Sequence, residues 1–207
     1  MSRLVVLGGQ ESGVGAAILA HQRGIDAFVS DAGLMKPKYR DQLKSRGIAY
    51  EEGGHTAARV LGADEIVKSP GIPDSAALVR AAREQGIPVI SEIEFAWRYC
   101  KGRVVGITGS NGKTTTTLLT HHILQRAGLD VAVGGNVGNS FAGLIAAGDN
   151  AWYVLELSSF QLDGIRDFRP RVAMLLNISP DHLERYEHRL ENYVASKFRI
   201  ALNQTED

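Results

Sequence analysis

The chain reads as an α/β protein, a Rossmann-like N-terminal unit followed by a P-loop ATPase-type α/β unit. Three observations predict this. Short apolar runs alternate with helix-forming stretches along most of the chain, the pattern of parallel sheets with crossover helices. Two of those runs feed glycine loops, GGQESGVG at 8–15 and GITGSNGKTTTT at 106–117. Between them, Lys101-Gly102 is the expected joint, dividing residues 1–100 from residues 101–207.

In the first unit, Leu4–Leu7 is a strand that enters the glycine loop, and a helix follows to about Arg23. Ala27–Val29 is the next strand and ends at Asp31. Residues 32–62 are polar and less regular, with a helix expected around Tyr39–Arg46. Glu65–Lys68 forms a strand that stops at Ser69-Pro70-Gly71. Asp74 or Ser75 is placed to cap a helix running to Gln85, which Gly86 ends. Pro88–Ile90 is a strand and Glu92–Tyr99 a helix.

The second unit opens with a strand at Val104. A helix spans Lys113–Ala127 and Gly128 closes it. Val131–Val133 is a strand leading to GGNVGN at 134–139. A helix at Phe141–Ala147 precedes the strand Trp152–Leu157. Val172–Leu176 is a further buried strand, and a helix runs from about Leu190 to Leu202.

Composition narrows the function. The 207 residues are 44% hydrophobic and 22% charged, as in a globular protein. Lys plus Arg and Asp plus Glu both total 23, so there is no basic excess to attract nucleic acid. Cys100 is the one cysteine, which excludes an internal disulfide and a Cys-rich zinc site and points to a reducing cytoplasm. No nearby base supports Cys100 as a nucleophile. MSRLVVLGG is too short for a signal core, and no run approaches a membrane span of about 18 apolar residues.

The 106–117 loop carries the most chemistry. A strand, two glycines, a lysine and a helix start place N–H groups, an ammonium and a hydroxyl around one small space. That suits a polyphosphate with Mg²⁺, Lys113 bridging the β- and γ-phosphates and Thr114 ligating the metal. Gly109 and Gly112 permit backbone angles that a Cβ would oppose. The register is imperfect, because Ile107 stands where G-x-x-x-x-G-K-[ST] wants its first glycine. Glu156, at the carboxyl end of a strand, is the expected second metal contact. His182, in Ser179-Pro180-Asp181-His182, is a candidate metal or substrate contact. Lys197 alone says nothing beyond an exposed helical lysine.

The first loop fits a dinucleotide poorly. Gln10 occupies the second glycine position of G-x-G-x-x-G and hinders close approach of a pyrophosphate. The helix start at Ser12-Gly13 still offers a phosphate site, which favours a nucleotide diphosphate over NAD. A tight βα turn without a ligand is the alternative.

Taken together, TGSNGKTT (108–115), GGNVGN, ELSSFQL (156–162), NISPDHLERY (177–186) and ASKFRI (195–200) resemble the Mur ligases. SPGIP (69–73) and SEIEF (91–95) fit the same family's first domain. The resemblance extends from about Leu4 to Ile200, and ELSSFQL with NISPDH favours the branch that uses D-glutamate. It implies that ATP phosphorylates the carboxylate of UDP-N-acetylmuramoyl-L-alanine and that the D-glutamate amine displaces the phosphate. Gly109, Ser110, Asn111, Gly112, Lys113, Thr114 and Thr115 would hold ATP. Thr114 and Glu156 would bind one Mg²⁺, and His182 with a carbamylated Lys197 a second. Lys113, Glu156, His182 and Lys197 would form the catalytic group. Ser12, Gly13, Asp31 and Gly71 would lie along the uridine diphosphate, with Asn136 and His182 at the inner part of the substrate. Gln10, Ala32 and Gly33 depart from the family's first-loop pattern and unsettle the uracil contacts.

Family chains continue well past position 207, so the resemblance also implies an incomplete ATPase unit, inactive on its own. The intact protein is then expected to be a monomer. The shortened second unit should leave an exposed edge or apolar face through which it self-associates. Another ATP-dependent amino-acid ligase and a non-catalytic nucleotide-sugar module are the competing readings.

Overall fold

The computed structural model describes residues 2–205, which form two parallel sheets with helices packed on them. The first sheet contains β1 (Arg3–Leu7), β2 (Asp26–Asp31), β3 (Ala49–Glu52), β4 (Glu65–Lys68) and β5 (Val89–Ser91). Their order is β3-β2-β1-β4-β5. Leu4, Val5, Val6 and Leu7 are all buried, as a central parallel strand requires when helices cover both faces. The chain leaves β1 for β2 on one side and later reaches β4 on the other. The loops after β1 and β4 therefore flank the crevice where doubly wound sheets bind ligands.

Five helices accompany this sheet: α1 (Glu11–Gln22), α2 (Pro37–Lys44), α3 (Ala57–Val60), α4 (Ala77–Glu84) and α5 (Glu92–Trp97). Residues 32–62 are more regular than their polarity suggests. β3 lies there as an edge strand paired only with β2, from Phe28↔Ala49 to Asp31↔Glu52. An edge strand with one partner needs no continuous apolar run, so AYEE carries little signal. α2 starts before Tyr39 because Pro37 is accepted at a first helical turn. The expected cap of α4 is corrected. Ala76 holds that position without a side-chain bond, while Asp74 pairs with Lys68 at 3.4 Å and Arg83 at 3.1 Å.

The second sheet contains β6 (Arg103–Thr108), β7 (Val131–Gly135), β8 (Trp152–Glu156) and β9 (Val172–Leu175), in the order β7-β8-β6-β9. Its helices are α6 (Lys113–Arg126), α7 (Phe141–Ala147), α8 (Ser159–Leu162) and α9 (Leu190–Phe198). α8 had no periodic signature. A capping box creates it, Ser158 and Gln161 satisfying each other's backbone N–H groups. The last helix tightens into a 3-10 turn at Arg199–Ala201 rather than continuing as α to Leu202.

One core joins both sheets. Val14 and Ala17 of α1, Ile93 of α5 and Phe141 and Ile145 of α7 belong to a single buried cluster. α1 and α7 cross closely because Gly15 faces Ser140 and the backbone of Gly143, with no room for a Cβ. Carboxyl groups reinforce the contact. Glu11 accepts the Ser140 N–H at 3.2 Å, and buried Glu92 accepts that of Ala142 at the start of α7. Glu94, also buried, accepts the N–H groups of Arg166, Asp167 and Phe168.

The expected apolar face is present on α6. Leu118, Leu119 and Ile123 are 46%, 56% and 57% exposed. β9 forms one edge of its sheet, and its Val172 is 38% exposed. Among the described residues, no helix is long and apolar enough to cross a membrane. Cys100 is half-buried and bonded to the Gly102 carbonyl, and burial pushes its thiol up to about 11, against a nucleophilic role.

Candidate active site

The site is built at the carboxyl ends of β6 and β8. β6 delivers Thr108 into the loop 109–112, and Gly112 takes φ 80° immediately before α6. That left-handed angle suits glycine and turns the chain so that α6 starts at the loop. Lys113 and Thr114 therefore occupy the first turn. Lys113 Nζ bends back to the Ser110 carbonyl at 3.0 Å.

Thr114 and Glu156 meet directly. The Thr114 hydroxyl donates to Glu156 Oε2 at 2.6 Å, and Asn136 Nδ2 donates to Oε1 at 2.8 Å. β7 and β8 place Asn136, whose backbone N–H also reaches the Glu156 carbonyl at 2.8 Å. Glu156 is 3% exposed, and among the described residues it has no cationic partner. A buried carboxyl group held only by a hydroxyl and an amide keeps oxygen lone pairs available to a cation. Mg²⁺ fits such a donor set, because it takes few protein oxygens and keeps several waters.

The loop from 177 to 182 closes over Ser110 and Asn111. Asn177 accepts the Asn111 N–H at 3.0 Å and returns a 3.0 Å bond to its carbonyl. Ser110 Oγ lies 2.9 Å from the Ser179 carbonyl, 3.0 Å from its N–H and 3.0 Å from the Tyr193 hydroxyl. Tyr193 was not singled out from sequence. Its signal was its position four residues before Lys197, which puts both on one face of α9.

Lys197 is not the exposed lysine that its helical position suggested. It is 2% exposed, its Nζ donates to the Gly109 carbonyl at 2.8 Å, and it lies 4.7 Å above the Tyr193 ring. Burial first, and then the positive charge of Lys113, lower its pKa to about 8. It therefore supplies far more neutral amine near pH 7 than an ordinary lysine.

His182 is half-exposed, in a left-handed conformation with φ 51°, 5.3 Å from the Phe160 ring. Its near acids are Asp181 at 3.6 Å and Glu184 at 3.8 Å. Among the described residues no three His, Cys, Asp or Glu side chains converge as a preformed metal cage. Thr114, Glu156 and Asn136 are thus brought into contact, and Lys197 is brought to the loop carbonyl. His182 and Glu156 share no contact.

In the first unit, the Ser12 hydroxyl is 3.4 Å from Ser69 Oγ, which joins the first turn of α1 to the loop after β4. Gly13 is buried against the Gly8 carbonyl. Asp31 accepts the N–H of Gly9 at 2.5 Å and of Gly33 at 2.8 Å, so it fastens the loop after β2 to the glycine loop after β1. Gly71 is exposed, and its carbonyl accepts from Arg185 at 3.3 Å. Arg185 is a second residue that sequence reasoning passed over, although it lies within NISPDHLERY.

Comparisons with known proteins bear on the family and the fold. Residues 2–91 match the family described as Mur ligase MurD-like, N-terminal domain, and residues 107–207 match the Mur ligase middle domain. A UDP-N-acetylmuramoylalanine–D-glutamate ligase of Bacteroides fragilis is 56% identical over 207 residues, covering 100% of this chain and 47% of that protein. The protein of that name from Porphyromonas gingivalis is 57% identical over 201 residues, covering 97% and 45%. The chain spans about half the length of the curated relatives it matches. The fold is also that of UDP-N-acetylmuramate:L-alanyl-gamma-D-glutamyl-meso-diaminopimelate ligase from Neisseria meningitides. That structure has a TM-score of 0.67 and 22% identity, over 100% of this chain and 69% of the other. UDP-N-acetylmuramate-alanine ligase MurC from Thermotoga maritima gives 0.61 and 23%, over 98% and 47%. With two of its domain models and relatives above 50% identity covering the chain, the protein belongs to the Mur ligase family.

Proposed function

We propose that the whole protein is an ATP-dependent ligase that joins D-glutamate to UDP-N-acetylmuramoyl-L-alanine in peptidoglycan precursor synthesis. Residues 1–100 serve as the UDP-substrate unit and residues 101–207 as the first part of the ATP unit. The observation that carries this reading is the Thr114–Glu156–Asn136 contact beside Lys113. The names of the relatives favour D-glutamate over other amino acids.

A carboxylate is a poor acylating agent, so the substrate carboxylate attacks the γ-phosphorus of ATP, ADP departs, and an acyl phosphate forms. The D-glutamate amine then attacks the acyl carbon, phosphate leaves, and the amine loses a proton as the amide forms. Backbone N–H groups of 112–115 at the start of α6 and the Lys113 ammonium hold the polyphosphate, which positions and neutralises two anionic reactants. Ser110, Asn111, Gly112 and Thr115 belong to this cradle. Thr114 and Glu156 hold one Mg²⁺, which supplies charge neutralisation on the transferred phosphoryl group.

Lys197 and His182 serve a second Mg²⁺. Burial without a carboxylate partner and a lowered pKa suit Lys197 to carbamylation, since the neutral amine is the form that adds to CO₂. Addition replaces an ammonium with an anionic oxygen ligand. Ser12, Gly13, Asp31 and Gly71 contact the uridine diphosphate, and Asn136 and His182 the inner substrate. The exposed residues of α6 support self-association of residues 1–207 and a monomer for the whole protein. Location in a bacterial cytoplasm follows from the proposed substrates.

Two measurements test the reading. The full-length protein should release phosphate from ATP only with Mg²⁺, D-glutamate and UDP-N-acetylmuramoyl-L-alanine together. Residues 1–207 alone should bind the UDP substrate without turnover. Tight NADH binding by the first unit, or D-glutamate-dependent ADP release by 1–207, contradicts it.

A further inference from the structure

We propose that Arg185 is a positioning residue that couples occupancy of the 69–73 loop to the placement of His182. The inference rests on the proposed function, in which Gly71 faces the diphosphate and His182 serves the reacting end.

The coupling is visible in the bonds. The Arg185 guanidinium fans across three consecutive carbonyls, those of Pro70, Gly71 and Ile72, each at 3.3 Å. Buried Lys68 adds a 2.7 Å bond to the same Ile72 carbonyl. With two cations gathered on one side, the loop's carbonyls are committed there. The peptide units are trans and planar, so the Gly71 N–H points away from Arg185. Among the described residues that N–H has no acceptor, which leaves it free for an anion.

The other end of Arg185 reaches His182. Its backbone N–H donates to the His182 carbonyl at 3.0 Å, closing a 3-10 turn over Leu183–Arg185. The guanidinium lies 4.3 Å from the Phe160 ring, whose centroid is 5.3 Å from that of His182. The segment is held against its own preferences, with His182, Glu187 and His188 all at positive φ. Non-glycine residues stay in that region only where surrounding contacts hold them. Arg185 is such a contact, and it comes from the connection between β9 and α9, whereas the 69–73 loop follows β4 of the other sheet.

UDP is the probe, because it fills the diphosphate site without the sugar and peptide portion that would reach His182. Residues 1–207 with labelled histidine are titrated with UDP by calorimetry and by NMR of the imidazoles, His182 being assigned through H182Q. Wild type should bind UDP and shift the His182 resonance. R185Q should weaken UDP by about fivefold or more, the lower end of coupling between sites. It should also abolish the His182 response while the chain stays folded. R185K, which keeps charge but cannot fan across three carbonyls, should recover part of the affinity. If R185Q does not fold, the same titration of R185K decides. UDP binding and a His182 shift that the variants leave intact overturn this proposal alone. Absence of UDP binding by wild type overturns it together with the proposed function.

Discussion

The Thr114 hydroxyl donates a 2.6 Å hydrogen bond to Glu156 Oε2. Residues 42 positions apart thus set an oxygen pair at the mouth of the phosphate loop. Glu156→Gln keeps the shape, and the Thr114 hydroxyl can rotate to accept from the new amide. Stability should change by only about 1 kcal/mol. Mg²⁺-dependent ATP binding by the full-length protein should fall by about 10- to 100-fold, the scale on which metal sites respond to altered ligation. Calorimetric Mg²⁺ titration measures it, and an unchanged Mg²⁺ dependence sinks the metal role of Glu156.

Lys197 gives a pH signature. Its folded pKa is lowered to about 8 from 10.5, chiefly by burial. Above about pH 8 the folded chain sheds this proton while the unfolded chain keeps it until about 10.5. Stability contributed by this group therefore rises with pH across that window, and the cost of a buried ammonium is fully present below it. In Lys197→Met the contribution disappears. The difference in urea unfolding between wild type and variant should shift toward wild type from pH 8 to 10. A pH-independent difference contradicts the assignment.

Glu92 should behave oppositely. Burial raises its carboxyl from 4.5 to about 8, the Ala142 N–H partly opposing and Glu11 adding to the rise. Between those values the unfolded chain releases a proton that the folded chain retains, so stability falls as pH increases from 4.5 to 8. Glu92→Gln keeps an acceptor for Ala142 and carries no charge. It should be close to wild type near pH 5 and more stable above pH 8. Equal denaturation midpoints at both pH values would falsify this.

Gly15 reports on the contact between α1 and α7. Alanine there gains about 1 kcal/mol of helix propensity. Its Cβ collides with Ser140 Oγ and the Gly143 backbone, which form the cap of α7. Overpacking costs about 1–3 kcal/mol and a lost cap about 1 kcal/mol. Gly15→Ala should be a net loss of about 1–3 kcal/mol in chemical denaturation. A stabilised variant would show that the helices can separate without cost.

The α6 face offers a separate check. Sedimentation of residues 1–207 should show concentration-dependent association that Leu119→Glu with Ile123→Glu abolishes. Surface changes of this kind usually alter stability by less than about 0.5 kcal/mol. Monomeric wild type at high concentration rejects the self-association.

The sequence by itself determined both parallel sheets and the phosphate loop. Alternating apolar runs specify buried parallel strands locally, and Gly-Lys-Thr after a strand is a local solution to holding a polyphosphate. It also supplied Thr114 and Glu156, because strand ends are predictable places for chemistry. Tertiary structure decided what depends on partners distant in the chain. β3 exists because β2 offers it an edge, and Asp74 left its capping role because Lys68 and Arg83 compete for it. Lys197 looked like a solvated lysine, and only the packing of α9 under Gly109 removes it from water and shifts its proton affinity. Arg185 reaches from the β9–α9 connection to the loop after β4, so its partners at 70–72 have no trace in its own neighbourhood. Local patterns encode elements, whereas burial and long-range hydrogen bonds assign side chains their charge state and their work.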